Sequence, residues 1–187
     1  MWIAFFLVAA HHSDFEARAT RAIDASIVQT RLLLTSTEFS ETERRAEAEA
    51  MTDYAELTRR AADNQWSTMT VNQRRRFQPA RHTLLLEAHL SSLDNFDPSY
   101  RLRSVGAELN DHGETSVDLE LSGLGFGFLL NSDLRVVDAR LGSFRLVDHL
   151  QETVDRVVAN EGIERPLEQL ERKADSARRQ GQRSSSC

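Results

Sequence analysis

The chain has 187 residues, 40% of them hydrophobic and 28% charged, with a formal net charge of -6. That length suffices for one domain with a substantial core, and the negative balance argues against broad nucleic-acid binding, which needs a basic face to displace counterions. Cys187, the last residue, is the only cysteine, so the chain has neither a disulfide framework nor a cysteine-based metal site.

Residues 1–10, MWIAFFLVAA, form an apolar run too short to span a bilayer. They read as the h-region of a secretory signal, with Val8-Ala9-Ala10 as a small-residue cleavage site, although no Lys or Arg precedes Arg18 to supply a basic n-region. Export is the expectation. The alternative is a first helix or strand of the fold.

A helix is expected over Asp14 to Leu34, with Ala17, Ile23, Ile27, Leu32 and Leu34 as its apolar points and Ser13 or Asp14 as its cap. Thr35 to Ser40 punctuates the chain. Ser40-Glu41-Thr42-Glu43 fits a capping box, in which hydroxyl and carboxylate satisfy free backbone N–H groups. It opens a helix from Glu41 to Asp63 whose stripe is Ala50, Tyr54, Leu57 and Ala61. Asn64 and Trp66 break that pattern. A second capping box, Thr70-Val71-Asn72-Gln73, opens a helix carrying Phe77, Leu84, Leu85, Ala88 and Leu93. Pro79 lies inside it and predicts a kink or a break. Arg74-Arg75-Arg76 reads as a solvated face, with a docking surface for acidic lipid headgroups as the alternative.

Beyond Asn95–Pro98 the period changes. Tyr100 to Leu109 is a strand with a bulge near Ser104–Gly106, and Asn110-Asp111-His112-Gly113 is a hairpin turn. Thr115 to Ser122 places Val117, Leu119 and Leu121 on one face. Phe126, Phe128 and Leu130 share a face, alternating with Gly125, Gly127 and Leu129. After the turn at Asn131-Ser132-Asp133, Leu134 to Phe144 is the last strand, with Val137, Ala139 and Leu141 on one face. Val147 to Ala159 is helical, with Leu150, Val154 and Val157/Val158 at helical spacing. Pro166, Leu167, Leu170 and Ala174 mark a short final helix. The Ser-rich stretch 176–187 is expected to be disordered.

The fold expected is α+β: helices packed on a curved antiparallel sheet of about four strands, in a cystatin-like or NTF2-like arrangement, enclosing an apolar pocket. The chemistry-bearing motifs are missing. There is no nucleophile elbow, phosphate loop or dinucleotide fingerprint, and no cofactor is expected. Gly123-Leu124-Gly125-Phe126-Gly127 lies in the sheet and precedes no helix, so it suits close backbone approach or curvature. His82 and His89 share a helical face but lack a carboxylate pair at ligand spacing. An enzyme remains the alternative, with Asp53, His89 and Asp138 as candidate acid–base groups. Their plainer roles are a helix-surface carboxylate, a part-buried helix residue and an outward strand residue.

In order and spacing, Asp53-Tyr54, Leu57, Trp66, Met69-Thr70, Gln73-Arg74, Phe77, Leu84-Leu85, Val136-Val137-Asp138-Ala139, Leu146-Val147, Gly162, Leu167 and Leu170 carry a resemblance. Over about residues 35 to 175, the chain resembles the MlaC family, the periplasmic phospholipid-binding component of the Mla ABC transport system, also called toluene-tolerance auxiliary proteins. Arg81 and His89 stand where that family usually has aromatics. Leu134 stands where a Trp is common, Gly142-Ser143 is offset by one residue from the family's Glu-Gly, and Pro79 is unexpected.

The resemblance implies a single lipid-binding domain over 13–175 and no enzymatic activity. It implies a periplasmic monomer that carries phospholipid between an outer-membrane lipoprotein complex and an inner-membrane ABC transporter, maintaining outer-membrane lipid asymmetry. Phe77, Leu84, Leu85, Leu119, Leu121, Phe126, Phe128, Leu130 and Val137 are the expected lining of the acyl-chain pocket. The headgroup is expected near the mouth, with few polar contacts. A ligand-free adaptor domain is the remaining alternative.

Overall fold

The computed structural model describes residues 2–35, 39–94, 97, 102–121 and 124–184, with side chains described over 14–32, 39–93, 97, 103–120 and 125–180. The chain forms two compact units from interleaved segments: Met1–Thr37 with Asp97–Ser143, and Glu38–Phe96 with Phe144–Cys187.

The first unit pairs one helix with the sheet. Helix α1 runs without interruption over Trp2–Thr35, so Ser13 and Asp14 are interior to it and do not cap it. Neither Pro nor Gly occurs before Pro79 to stop a helix in this region. The side chains of residues 1–13 and of Leu34 lie outside the described residues. The buried face of α1 is Ala19 and Ile23, with Ile27 packed alongside. These are four residues apart, close to the 3.6-residue helical period, so they share a face. Ala17 is exposed and Leu32 is half open to solvent, because their spacing from Ile23 and Ile27 carries them off that face.

The sheet is an antiparallel meander in chain order. Its strands are β1 (Leu102–Leu109), β2 (Thr115–Leu121), β3 (Leu124–Leu130), β4 (Val136–Leu141) and a two-residue β5 (Phe144–Arg145). The expected bulge is present, as the β1–β2 register shifts between Ser104 and Gly106. Tyr100 lies outside the described residues. The first hairpin closes where the sequence places it. Gly113 adopts φ +75°, and Asn110 Oδ1 accepts from the backbone N–H groups of His112 and Glu114 at 2.9 Å each.

The second turn extends past Asp133 to Leu134, a non-glycine residue at φ 61°. The last long strand is therefore shorter than the expected span of Leu134 to Phe144. Asp138 shares a face with Arg140, opposite Ala139 and Leu141 as expected, but it is buried there, with 2% of its surface exposed. A second register shift, at Leu129/Leu130, falls between Val136 and Asp138, so Val136 pairs with Leu130 while Asp138 pairs with Leu129. Asp138 Oδ1 accepts from the Ala139 backbone N–H at 2.8 Å.

The second unit is helical: α2 (Glu41–Met51), α3 (Tyr54–Ala61), α4 (Asp63–Trp66), α5 (Val71–Asp94), α6 (Leu146–Glu161) and α7 (Glu164–Ser184). Both capping boxes form. At Ser40, the Glu43 carboxylate accepts from the Ser40 N–H at 2.7 Å while the hydroxyl accepts from Glu43 N–H. At Thr70, Gln73 does the same at 2.8 Å.

The single helix expected over Glu41–Asp63 is divided. Thr52 is extended, and Asp53 caps α3 by accepting from Glu56 N–H at 3.1 Å. The break rephases the stripe, burying Ala48 and exposing Ala50, while Tyr54, Leu57 and Ala61 are buried as expected. Helix α5 passes through Pro79 unbroken. Helix α7 continues to Ser184, well past the short final helix and into the stretch expected to be disordered.

Candidate functional site

The expected lining residues fall into two separate clusters. In the sheet unit, β2 and β3 pair Val117 with Phe128 and Leu119 with Phe126. Their shared face forms a core of Val117, Leu119 and Leu130 with Ala19 and Ile23 of α1, and Phe126, Phe128 and Val136 pack against it. The Phe126 and Phe128 rings meet edge to face, 4.9 Å between centroids. Val137 is fully buried, and the side chain of Leu121 lies outside the described residues. Helix α1 docks on β1 through Ser104, whose hydroxyl donates to Asp24 at 2.8 Å.

The reverse face of the sheet is polar. Arg140 pairs with Asp118 across β3, directly over Gly127. A Cβ on Gly127 would stand 3.3 Å from both side chains, so here the glycine serves close approach.

Phe77 belongs to the helical unit. It is buried with Ala62, Met69, Val154 and Leu167, and Trp66, Val158, Ile163 and Leu170 pack around them. Leu84 and Leu85 are half-buried on the same helix. Beside Phe77 a pocket of about 140 Å³ opens between α5, α6 and α7. Its apolar wall is Phe77, Val154, Val157, Val158, Ile163 and Leu170, and its two cations are Arg81 and Lys173. The sequence supplied the helical stripes Val154/Val157/Val158 and Leu167/Leu170, but read them as packing. The arrest of α6 at Gly162, with φ 68° and ψ -178°, brings Ile163 and Pro166 to this pocket.

A larger cleft of about 620 Å³ lies between α5 and α7, lined by Arg75, Arg76, Glu168, Glu171, Arg172, Asp175 and Arg178 among others. Arg76 is paired with acids across it. Arg76 donates through Nε and Nη2 to the two Glu171 oxygens at 2.9 and 2.8 Å, and through Nη1 to Glu164 at 2.9 Å. These bonds hold the Arg76 guanidinium well above its ordinary range and both carboxyls below theirs. Arg74 lies over the Trp66 ring at 5.5 Å. Two of the three clustered arginines are thus engaged within the chain, and the cleft suits no acyl chain.

The candidate acid–base groups have structural partners. Asp53 caps α3. His89 Nδ1 lies 2.5 Å from the Tyr54 hydroxyl, and burial pushes the imidazole below the usual histidine range. Tyr54 also stacks on His82, with centroids 5.2 Å apart, and His82 Nε2 is 3.3 Å from Glu49. Burial raises the Tyr54 phenol, so it keeps its proton and serves as a hydrogen-bond donor.

No protein-family model and no curated protein sequence matches the chain. Its fold matches a solved structure of a phospholipid-binding protein from Ralstonia solanacearum in complex with a phospholipid. The TM-score is 0.66 at 14% identity, covering 87% of this chain and 98% of that one. The shared α+β fold runs through both the helical unit and the sheet.

Proposed function

We propose that the protein binds phospholipid and carries it through water. The observation that carries this reading is the likeness of fold, over 87% of the chain, to a protein whose structure holds a phospholipid. The apolar pocket beside Phe77 supports it, as does the lack of a catalytic constellation in the sequence. An acyl chain costs about 0.8 kcal/mol per exposed CH₂, so a carrier must supply a dry wall and needs no reactive group. The protein is not an enzyme in this reading.

The finer reading follows the family resemblance. The carrier works in the periplasm, reached by means of the apolar residues 1–10. As a monomer it shuttles phospholipid between an outer-membrane lipoprotein complex and an inner-membrane ABC transporter, sustaining outer-membrane lipid asymmetry.

Lipid-stripped protein mixed with vesicles containing fluorescent phospholipid, then separated by size exclusion, tests the binding step. Fluorescence eluting with the protein at about one lipid per chain supports the proposal. Protein that emerges unlabelled overturns it.

A further inference from the structure

The pocket beside Phe77 has a chemical asymmetry. Its walls include valines, leucines, an isoleucine and a phenylalanine, and its only charged residues are Arg81 and Lys173, both cationic. Among the described residues no carboxylate lines it. Other cations in this unit find acids: Arg76 finds Glu171, Arg45 finds Glu87 and Arg59 finds Glu56.

Arg81 is the exception among the described arginines whose Nε is shut off from solvent. Arg31, Arg44, Arg74, Arg81 and Arg135 each have an Nε shut off from solvent without a hydrogen-bond partner. The other four residues each make a further interaction. The Arg81 guanidinium has none among the described residues, and the Lys173 ammonium has none either. An arginine stays charged at any working pH, so leaving it part-buried and unpaired beside apolar side chains is unfavourable. An anion brought to it would relieve that cost. Its planar fork matches two oxygens of a phosphate at once, while Lys173 adds a point charge.

We infer that the pocket between α5, α6 and α7 binds an amphiphile with an anionic phosphate head, Arg81 and Lys173 holding the phosphate and the Phe77 wall holding the adjoining stretch of one chain. The volume sets this limit. At about 140 Å³ the pocket resembles cavities of about 150 Å³ that admit a single benzene ring, so it takes a short chain segment and not two whole acyl chains. The inference rests on the lipid-binding reading and deepens it, placing the head on two residues that the family resemblance does not assign.

Isothermal titration of the full chain with three probes tests it: dodecyl phosphate, dodecyl maltoside with the same chain and an uncharged head, and inorganic phosphate. Dodecyl phosphate should bind at least about tenfold more tightly than dodecyl maltoside, the worth of a charge-assisted contact. Inorganic phosphate should bind far more weakly than either. In the Arg81→Met, Lys173→Gln double variant that preference should vanish while maltoside binding persists. Both changes remove charge without adding bulk, and retained maltoside binding shows that the variant is folded. Val157→Trp, which fills the pocket, should weaken both detergents.

A double variant that keeps the preference for phosphate overturns the inference and leaves lipid binding intact. Wild type that binds the two detergents equally does the same. Inorganic phosphate binding as tightly as dodecyl phosphate would make the site one for a free anion, which also overturns it. Wild type that binds neither detergent contradicts the lipid-binding reading itself.

Discussion

Tyr54 and His89 hold α3 against α5, the phenol oxygen and imidazole Nδ1 lying 2.5 Å apart. The protonated phenol can donate to the neutral imidazole in the tautomer that leaves Nδ1 without hydrogen. A protonated imidazole would present a second donor to that oxygen and would also have to be charged in a buried place.

The pH dependence follows. His89 has a folded pKa depressed by burial, so between that value and the ordinary one the unfolded chain binds more protons. The contribution to stability is complete above about pH 6.5 and is lost as pH falls below it, through the folded pKa. Melting temperatures at pH 7.5 and 5.5 should therefore differ less in His89→Gln than in wild type. His82, stacked on Tyr54 near Glu49, is unchanged in the comparison, so the difference between the proteins isolates His89.

Leu119 is 1% exposed and packs in the core with Ala19 and Ile23 of α1. Leu119→Ala should cost about 2–5 kcal/mol in urea unfolding of lipid-stripped protein, because the cavity left behind has no lipid to fill it. A cost well below about 1 kcal/mol would show that Leu119 faces a space already empty.

Gly162 ends α6 at φ 68° and ψ -178°, a region open essentially to glycine alone. An added Cβ meets nothing within 4 Å, so the penalty comes from the backbone and not from a clash. Gly162→Ala should destabilise the protein by about 1–3 kcal/mol, read from thermal unfolding. It should also weaken dodecyl phosphate binding, since Ile163 and Pro166 would lose their placement.

Local rules made much of the fold legible. The bulge at Ser104–Gly106, the Asn110–Gly113 turn, both capping boxes and the alternation in β2 and β3 depend on residues close in sequence, and they appear as read. The divided helix at Thr52–Asp53 was also written locally. Asp53 followed by Glu56 is an N-cap pattern, but the surrounding Ala, Glu and Arg favoured one long helix. What no local rule carries is phase. The Leu129/Leu130 shift pairs Val136 with Leu130, and the unbroken α1 places Ala19, not Ala17, in the core with the sheet.

The candidate site was less legible for the same reason. Periodicity finds the stripes of α5, α6 and α7, and the family resemblance marks Arg81 as a departure. Only the assembled helical unit reveals that Arg81 lacks the acid that Arg76, five positions earlier on α5, has found. The expected lining list joined Phe77 to the sheet residues on the strength of the family resemblance. The structure puts Phe77 in a helical cluster and Leu119 and Leu130 in a core with α1.

Native mass spectrometry of the protein purified from cells without detergent tests the central claim most directly. Phospholipid binding predicts a mass increment of one phospholipid that is released on collisional activation and identified by its fragments. A spectrum containing only the bare chain, from protein that also fails to take up lipid from vesicles, would contradict it.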